Sequence, residues 1–170
     1  MTSDDSLDHR LRRLEDRAEL RELTVRYCFA VDDMDWAGLL ELFSDQAELS
    51  GAVGRQDVVQ LLRSIRSTYG RTVHTATGQT LSFADDDHAS GVVASRAELD
   101  IAGQTVHCAM RYVDEYARER GRWCFSRRRI RFIYAQPWAD MADSLIAGRP
   151  VHWPGSEAMP ADDMQEVSGA

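Results

Sequence analysis

A histidine, an aspartate and a tyrosine are the side chains of this sequence best suited to moving a proton. His74 lies in Thr72-Val73-His74-Thr75-Ala76-Thr77-Gly78, an extended run in which alternation gives it Ala76, Gly78 and Thr80 as neighbours on one face. Small neighbours leave room beside the imidazole, whose ordinary pKa near neutrality suits it to take and return a proton. On residue type alone, a core histidine bonded to backbone is the commoner outcome. The stretch Arg26-Tyr27-Cys28-Phe29-Ala30-Val31-Asp32-Asp33 delivers a phenol and then carboxylates at the end of a helical pattern. A carboxylate there is opposed by the helix dipole and needs a compensating partner. A nearby imidazole would be one, and Asp32 would fix its tautomer and raise its basicity. The plainer reading makes Asp32 and Asp33 a turn between helices. Tyr27, at helical spacing from Leu20 and Leu23, is either core or a hydroxyl directed at a substrate oxygen.

Other candidates are weaker. In Arg127-Arg128-Arg129-Ile130-Arg131, alternation puts Arg127, Arg129 and Arg131 on a solvated or subunit-facing surface. Arg128 shares its parity with Ile130 and Phe132; a surface role stands ahead of an inward one that stabilises an anion. His9, His88 and His107 show no H-x-x-x-H or H-E-x-x-H spacing, so no metal site is expected, nor is there a Gly-rich phosphate loop. Three cysteines without C-x-x-C spacing, Cys28, Cys108 and Cys124, read as buried hydrophobes. A net charge of -8 argues against a nucleic-acid partner. The polar start and the lack of a long apolar run argue against a leader or a membrane partner, giving a soluble, cytoplasmic expectation.

The elements that must carry these residues follow from periodicity. With 170 residues and 44% apolar content, the chain suits one domain. Apolar residues at three- and four-residue spacing predict a helix from about 7 to 31, bent near Glu15-Asp16. A second, short helix capped by Asp35 runs through Trp36, Leu39, Leu40 and Phe43. A third covers about 56 to 69. Four β-rich runs then follow, at about 72–83, 90–101, 104–118 and 122–136, joined by short polar or Gly-containing turns and ended by Pro137. Helices first and an antiparallel meander afterwards give an α+β fold, one curved sheet packed on three N-terminal helices with a cavity on its concave side. Residues 1–147 form this domain. Residues 148–170 form a tail expected to be mobile or draped over a neighbouring subunit.

The segments Leu20-Arg21-Glu22-Leu23-Thr24-Val25-Arg26-Tyr27, Val31-Asp32, Asp35-Trp36, Leu42-Phe43-Ser44-Asp45-Gln46-Ala47 and Val73-His74 resemble the SnoaL-like branch of the nuclear transport factor 2-like superfamily. The resemblance spans about residues 8–136, including Arg111-Tyr112-Val113-Asp114-Glu115-Tyr116 and Gly121-Arg122-Trp123-Cys124-Phe125. It implies a cone-shaped α+β barrel (cystatin-like) and a branch that includes scytalone dehydratase, bile-acid 7α-dehydratase, hexachlorocyclohexane dehydrochlorinase and polyketide cyclases. Tyr27, Asp32 and His74 fall where the bile-acid enzyme carries its tyrosine, aspartate and histidine. Asp32 and His74 also fall where the dehydrochlorinase carries its dyad. Ala97 stands where the bile-acid enzyme has a further acidic residue, so steroid specificity is not implied, and His107 gives no secure second histidine of the scytalone dehydratase kind.

The reading is therefore a cofactor-independent lyase of dehydratase type acting on a small, largely apolar substrate, with Tyr27, Asp32 and His74 as catalytic residues. Phe29, Trp36, Met110, Phe132, Tyr134 and Trp138 are taken to shape the substrate-binding pocket, with Arg128 if it turns inward. An isomerase or polyketide cyclase would use the same parts, and a non-catalytic ligand-binding or assembly module would use none of them. A homo-oligomer, dimer or trimer, is expected, through the outer sheet face and apolar anchors between Trp138 and Trp153.

Overall fold

Leu20, Leu23, Tyr27, Cys28 and Val31 recur at helical spacing and are all buried, which fixes one face of the first helix against the sheet. In the computed structural model, which describes residues 3–162, this helix is α1, Ser3–Asp32. It runs unbroken through the bend expected at Glu15-Asp16. Asp16 is itself buried there, accepting from the Trp123 indole nitrogen at 3.0 Å and from Arg118. α2, Trp36–Leu42, begins at the expected cap: the Asp35 carboxylate accepts from the Gly38 backbone N–H at 2.8 Å. α3, Arg55–Arg66, stops short of the predicted end, because Tyr69 already belongs to the next strand.

The strands are β1 (Phe43–Leu49), β2 (Ala52–Val53), β3 (Tyr69–Phe83), β4 (His88–Ile101), β5 (Gln104–Glu119) and β6 (Arg122–Pro137). They form one six-stranded sheet in the order β2-β1-β6-β5-β4-β3. The last four make the predicted antiparallel meander, whereas β1 pairs parallel to β6, a pairing not read from the sequence. The sheet does not close on itself: β2 and β3 are its edges, and the helices cover its concave side. Two-residue joints at Ala102-Gly103 and Arg120-Gly121 have positive φ at both positions, the hairpin geometry whose twist matches the flanking strands. Val93, Tyr112, Tyr116 and Phe125 from the sheet meet Leu20, Tyr27, Leu39 and Phe43 in the core.

Register shifts in the sheet change which side chains face inward, and two of them bear on the site. Ala76 pairs with Ser95 and Gly78 with Ala94, so Thr77 is an extra residue, and beyond it Gln79, Leu81 and Phe83 are the less exposed positions rather than Gly78 and Thr80. Ala109 pairs with Tyr134 but Met110 with Phe132, so Ile133 is extra and Tyr134 moves to the face opposite Phe132. The described part of the tail returns along its own chain. Val151 bridges Ala135 in parallel and Met159 in antiparallel sense, and Asp162 donates its N–H to the Phe132 carbonyl at 3.0 Å. Residues 163–170, the rest of the expected tail, lie outside the described residues. Among the described residues no helix is long and apolar enough to cross a membrane.

Candidate active site

Asp32 closes α1 where the helix dipole and partial burial both disfavour a carboxylate, and three donors meet it there. The His74 backbone N–H donates to Oδ2 at 2.8 Å, the Thr72 hydroxyl to Oδ1 at 2.7 Å, and His74 Nδ1 lies 2.6 Å from Oδ1. Both partners come from the start of β3, and α1 packs against that strand. Burial alone would raise the Asp32 pKa. The His74 side-chain and backbone hydrogen bonds, the Thr72 hydroxyl and the charge on His74 together outweigh it and hold the carboxyl below its ordinary range. An ionised carboxylate can only accept, so Nδ1 carries a proton, and in the neutral imidazole this leaves the lone pair on Nε2. Arg66 braces the corner from α3. It is buried and donates to the Gly70 carbonyl at 2.6 Å, the Tyr69 carbonyl at 3.1 Å and the terminal Asp32 carbonyl at 3.5 Å.

His74 forms part of the wall of a cavity of about 320 Å³ on the concave side. Tyr27 lines it too, with Tyr69, Met110, Tyr112 and Phe132. Apolar side chains from α1, α3, β1, β4 and β6 complete most of the wall, among them Val31, Leu49, Leu62, Ile65, Leu99 and Ile130. Trp153 and Asp162 of the returning tail complete the rim. Burial raises the Tyr27 pKa, opposed by the Arg128 charge and hydrogen bonding; the phenol stays protonated near neutral pH and can donate.

Of the sequence-predicted pocket residues, Met110 and Phe132 line the cavity and five do not. Phe29 is 63% exposed, because two residues along a helix is a turn of about 200° and carries it to the far side of α1 from Tyr27. Trp36 is half-buried under the Arg63 guanidinium, 5.9 Å from its ring centroid. Tyr134, displaced by the Ile133 bulge, accepts from Arg96 at 3.0 Å. Trp138 is exposed and packs on His107, with ring centroids 4.6 Å apart.

Arg128 is the plainest correction: the surface role gives way to complete burial. Its Nε and Nη2 donate to the two Asp114 oxygens at 2.8 and 2.7 Å, and its guanidinium lies 4.2, 4.2 and 4.0 Å from the ring centroids of Tyr27, Tyr112 and Phe125. Desolvation would weaken its hold on a proton, but the Asp114 charge and hydrogen bonds more than restore it. Arg128 thus backs the tyrosine wall rather than facing the cavity. The three cysteines are free and buried as expected, and burial pushes the Cys108 thiol up to about 12. Among the described residues no three His, Cys, Asp or Glu side chains converge on a metal-sized site.

Several participants were missed in the sequence. Arg66 had a signal, since it follows Val58 and Leu62 at four-residue steps on the buried face of α3 and is the only charge there. Thr72, two residues from His74, had parity with it. Trp153 and Asp162 had none, because only the returning tail brings them to the cavity.

The comparisons with known proteins agree with this architecture. The SnoaL-like domain model matches residues 12–129, and the chain belongs to that family. No curated protein matches the sequence. Among solved structures, hexachlorocyclohexane dehydrochlorinase LinA-type3 from Novosphingobium barchaimii superposes with a TM-score of 0.70 at 26% identity, over 76% of this chain and 94% of that one. A type 2 dehydrochlorinase of the same name gives 0.69 at 25%, over 86% and 99%. A Novosphingobium aromaticivorans structure provisionally assigned as a scytalone dehydratase gives 0.70 at 19%, over 88% and 95%, a likeness of fold alone.

Proposed function

We propose that this chain is a cofactor-independent lyase that begins by abstracting a proton from carbon. The observation that carries the reading is the 2.6 Å contact between His74 Nδ1 and Asp32 Oδ1 at the wall of an apolar cavity. Similarity to dehydrochlorinases at 25 and 26% identity supports the same class of chemistry. In this reading Nε2 of His74 takes the proton, and Asp32 stabilises the imidazolium that forms. The electron pair of the broken C–H bond becomes the new double bond as the leaving group departs from the adjacent carbon. A departing hydroxide takes the proton back from imidazolium and leaves as water; a departing halide leaves as the anion, and the proton passes to solvent. Tyr27 donates to whichever substrate oxygen gathers charge, and the largely apolar wall favours a small hydrophobic substrate.

The test is a panel of β-hydroxy carbonyl and halogenated alicyclic compounds incubated with the protein in D₂O and followed by NMR. Elimination, or exchange of the proton next to the activating group, is expected with wild type. Either should fall by about 10² to 10⁴-fold in His74→Gln and Asp32→Asn. Exchange without elimination would move the reading to an isomerase or cyclase. Turnover undiminished in both variants would end it.

A further inference from the structure

α1 has two apolar faces, and the domain uses only one. Opposite the buried Asp16, Leu20, Leu23 and Tyr27 lies a second stripe, Leu7, Leu11, Leu14, Ala18 and Val25, at steps of four and three residues with one turn passed over. At 100° per residue these five fall within an arc of about 60°. Leu7, Leu11 and Leu14 are 59, 54 and 64% exposed, and Val25 is 41% exposed. Three leucines in line on a helix overhanging the core form a seam with no cover among the described residues.

Between Asp8 and Glu22 the charges flanking the seam are sorted by sign. Arg10, Arg17 and Arg21 flank it on one side, and Asp8, Glu15 and Glu22 on the other. Arg10, Glu15 and Glu22 form no ion pair among the described residues, and Arg17 reaches only the Phe83 ring, 5.3 Å from its centroid. A helix so sorted is complementary to itself in one orientation. A parallel twofold sets each basic flank against the acidic flank of the other helix, whereas an antiparallel pairing sets like against like.

We propose that the exposed seam of α1 is a docking surface for the same helix of a second copy of this chain, in parallel, two-stranded arrangement. Leu7, Leu11, Leu14 and Ala18 occupy the contact positions. Arg10 and Arg17 of one copy pair with Glu15 and Glu22 of the other, the five-residue step that joins the flanks of parallel coiled coils. A free peptide of this length would be a marginal helix. Here the segment from Leu20 onward is already clamped to the sheet, so much of the ordering cost is met before the copies associate. Asp16 and Leu23 lie on the opposite side, and the two domains stand away from each other across the seam.

The test combines charge reversal with cross-linking on the full chain, folding being checked by circular dichroism. In sedimentation equilibrium the wild type is expected to self-associate. Arg10→Glu/Arg17→Glu alone and Glu15→Arg/Glu22→Arg alone should each weaken association by at least about tenfold, and their equimolar mixture should restore it. Leu14→Cys should form a symmetric disulfide on mild oxidation, since the parallel pairing sets residue 14 against its copy and the three native cysteines are buried. A monomeric wild type, variants that assemble like wild type, or a Leu14→Cys protein that does not cross-link would each overturn the proposal.

Discussion

Burial of Asp32 and its place at the negative end of α1 both penalise a carboxylate, and the hydrogen bonds of Thr72 and His74 reverse that penalty at the level of single atoms. The consequence is a pH-dependent stability with a definite sign. The Asp32 pKa is lower in the fold than its ordinary 3.8. Its contribution is therefore fully present above the ordinary value and is lost as pH falls through the lower, folded one. In Asp32→Asn this contribution is gone at every pH. Urea midpoints taken stepwise from about pH 5 to about pH 2 should bring variant and wild type together as the solution becomes more acid. Parallel curves would mean that the three donors do not favour the ionised form. A second residue-scale prediction concerns Arg128 and Asp114, neither of which has solvent access at its side chain. Asp114→Asn leaves a buried guanidinium uncompensated and should cost about 3–5 kcal/mol in denaturant unfolding. Arg128→Met/Asp114→Leu, which removes both charges, should lose less than Asp114→Asn; a double variant as unstable as the single would show that the pair contributes more than mutual neutralisation.

At the scale of elements, the sequence carried the helices and the four long strands because each holds its period over most of its length and has a turn signal at its end. It carried Tyr27 and Asp32 because α1 is unbroken, and His74 because β3 keeps a regular register from Thr72 to Ala76. What it did not carry begins at the bulges. A period of two holds only while no residue is added, so Thr77 and Ile133 exchanged the faces of everything beyond them and removed Tyr134 from the cavity. Arg128 was misread for another reason: alternation gave its side correctly, but its counter-charge, Asp114, is 14 residues away and becomes its partner only through the β5–β6 register. The same long hairpins make a glycine testable. Gly91 on β4 lies opposite Leu81, and a methyl group there would run into the Thr80 carbonyl oxygen, a backbone atom that cannot swing aside. Gly91→Ala should lower stability by about 1–3 kcal/mol in urea unfolding, and an unchanged midpoint would show that the β3–β4 ladder yields without strain.

For the molecule as a whole, the cavity is finished by a part of the chain remote in sequence from the elements that begin it. The helices and sheet provide Tyr27, His74, Met110 and Phe132, while residues 151–162 return along β6 and lay Trp153 against Phe132, with ring centroids 5.1 Å apart. This return is secured by backbone bonds and by the Asp162 carboxylate, which accepts from the Phe132 N–H at 2.7 Å. Trp153 makes no hydrogen bond to Asp32 or His74, so its share in function should be binding rather than proton transfer. For any compound turned over in the elimination panel, Trp153→Ala should raise KM by about tenfold through lost aromatic contact, with kcat changed much less. Trp138, 15 residues earlier, supplies the internal control: it is exposed, packs on His107 and lines no part of the cavity, so Trp138→Ala should leave both constants near wild type. If the two tryptophan variants behave alike, or if Trp153→Ala lowers kcat as strongly as His74→Gln, the tail is not merely a wall, and its return along β6 must also be holding the dyad in register.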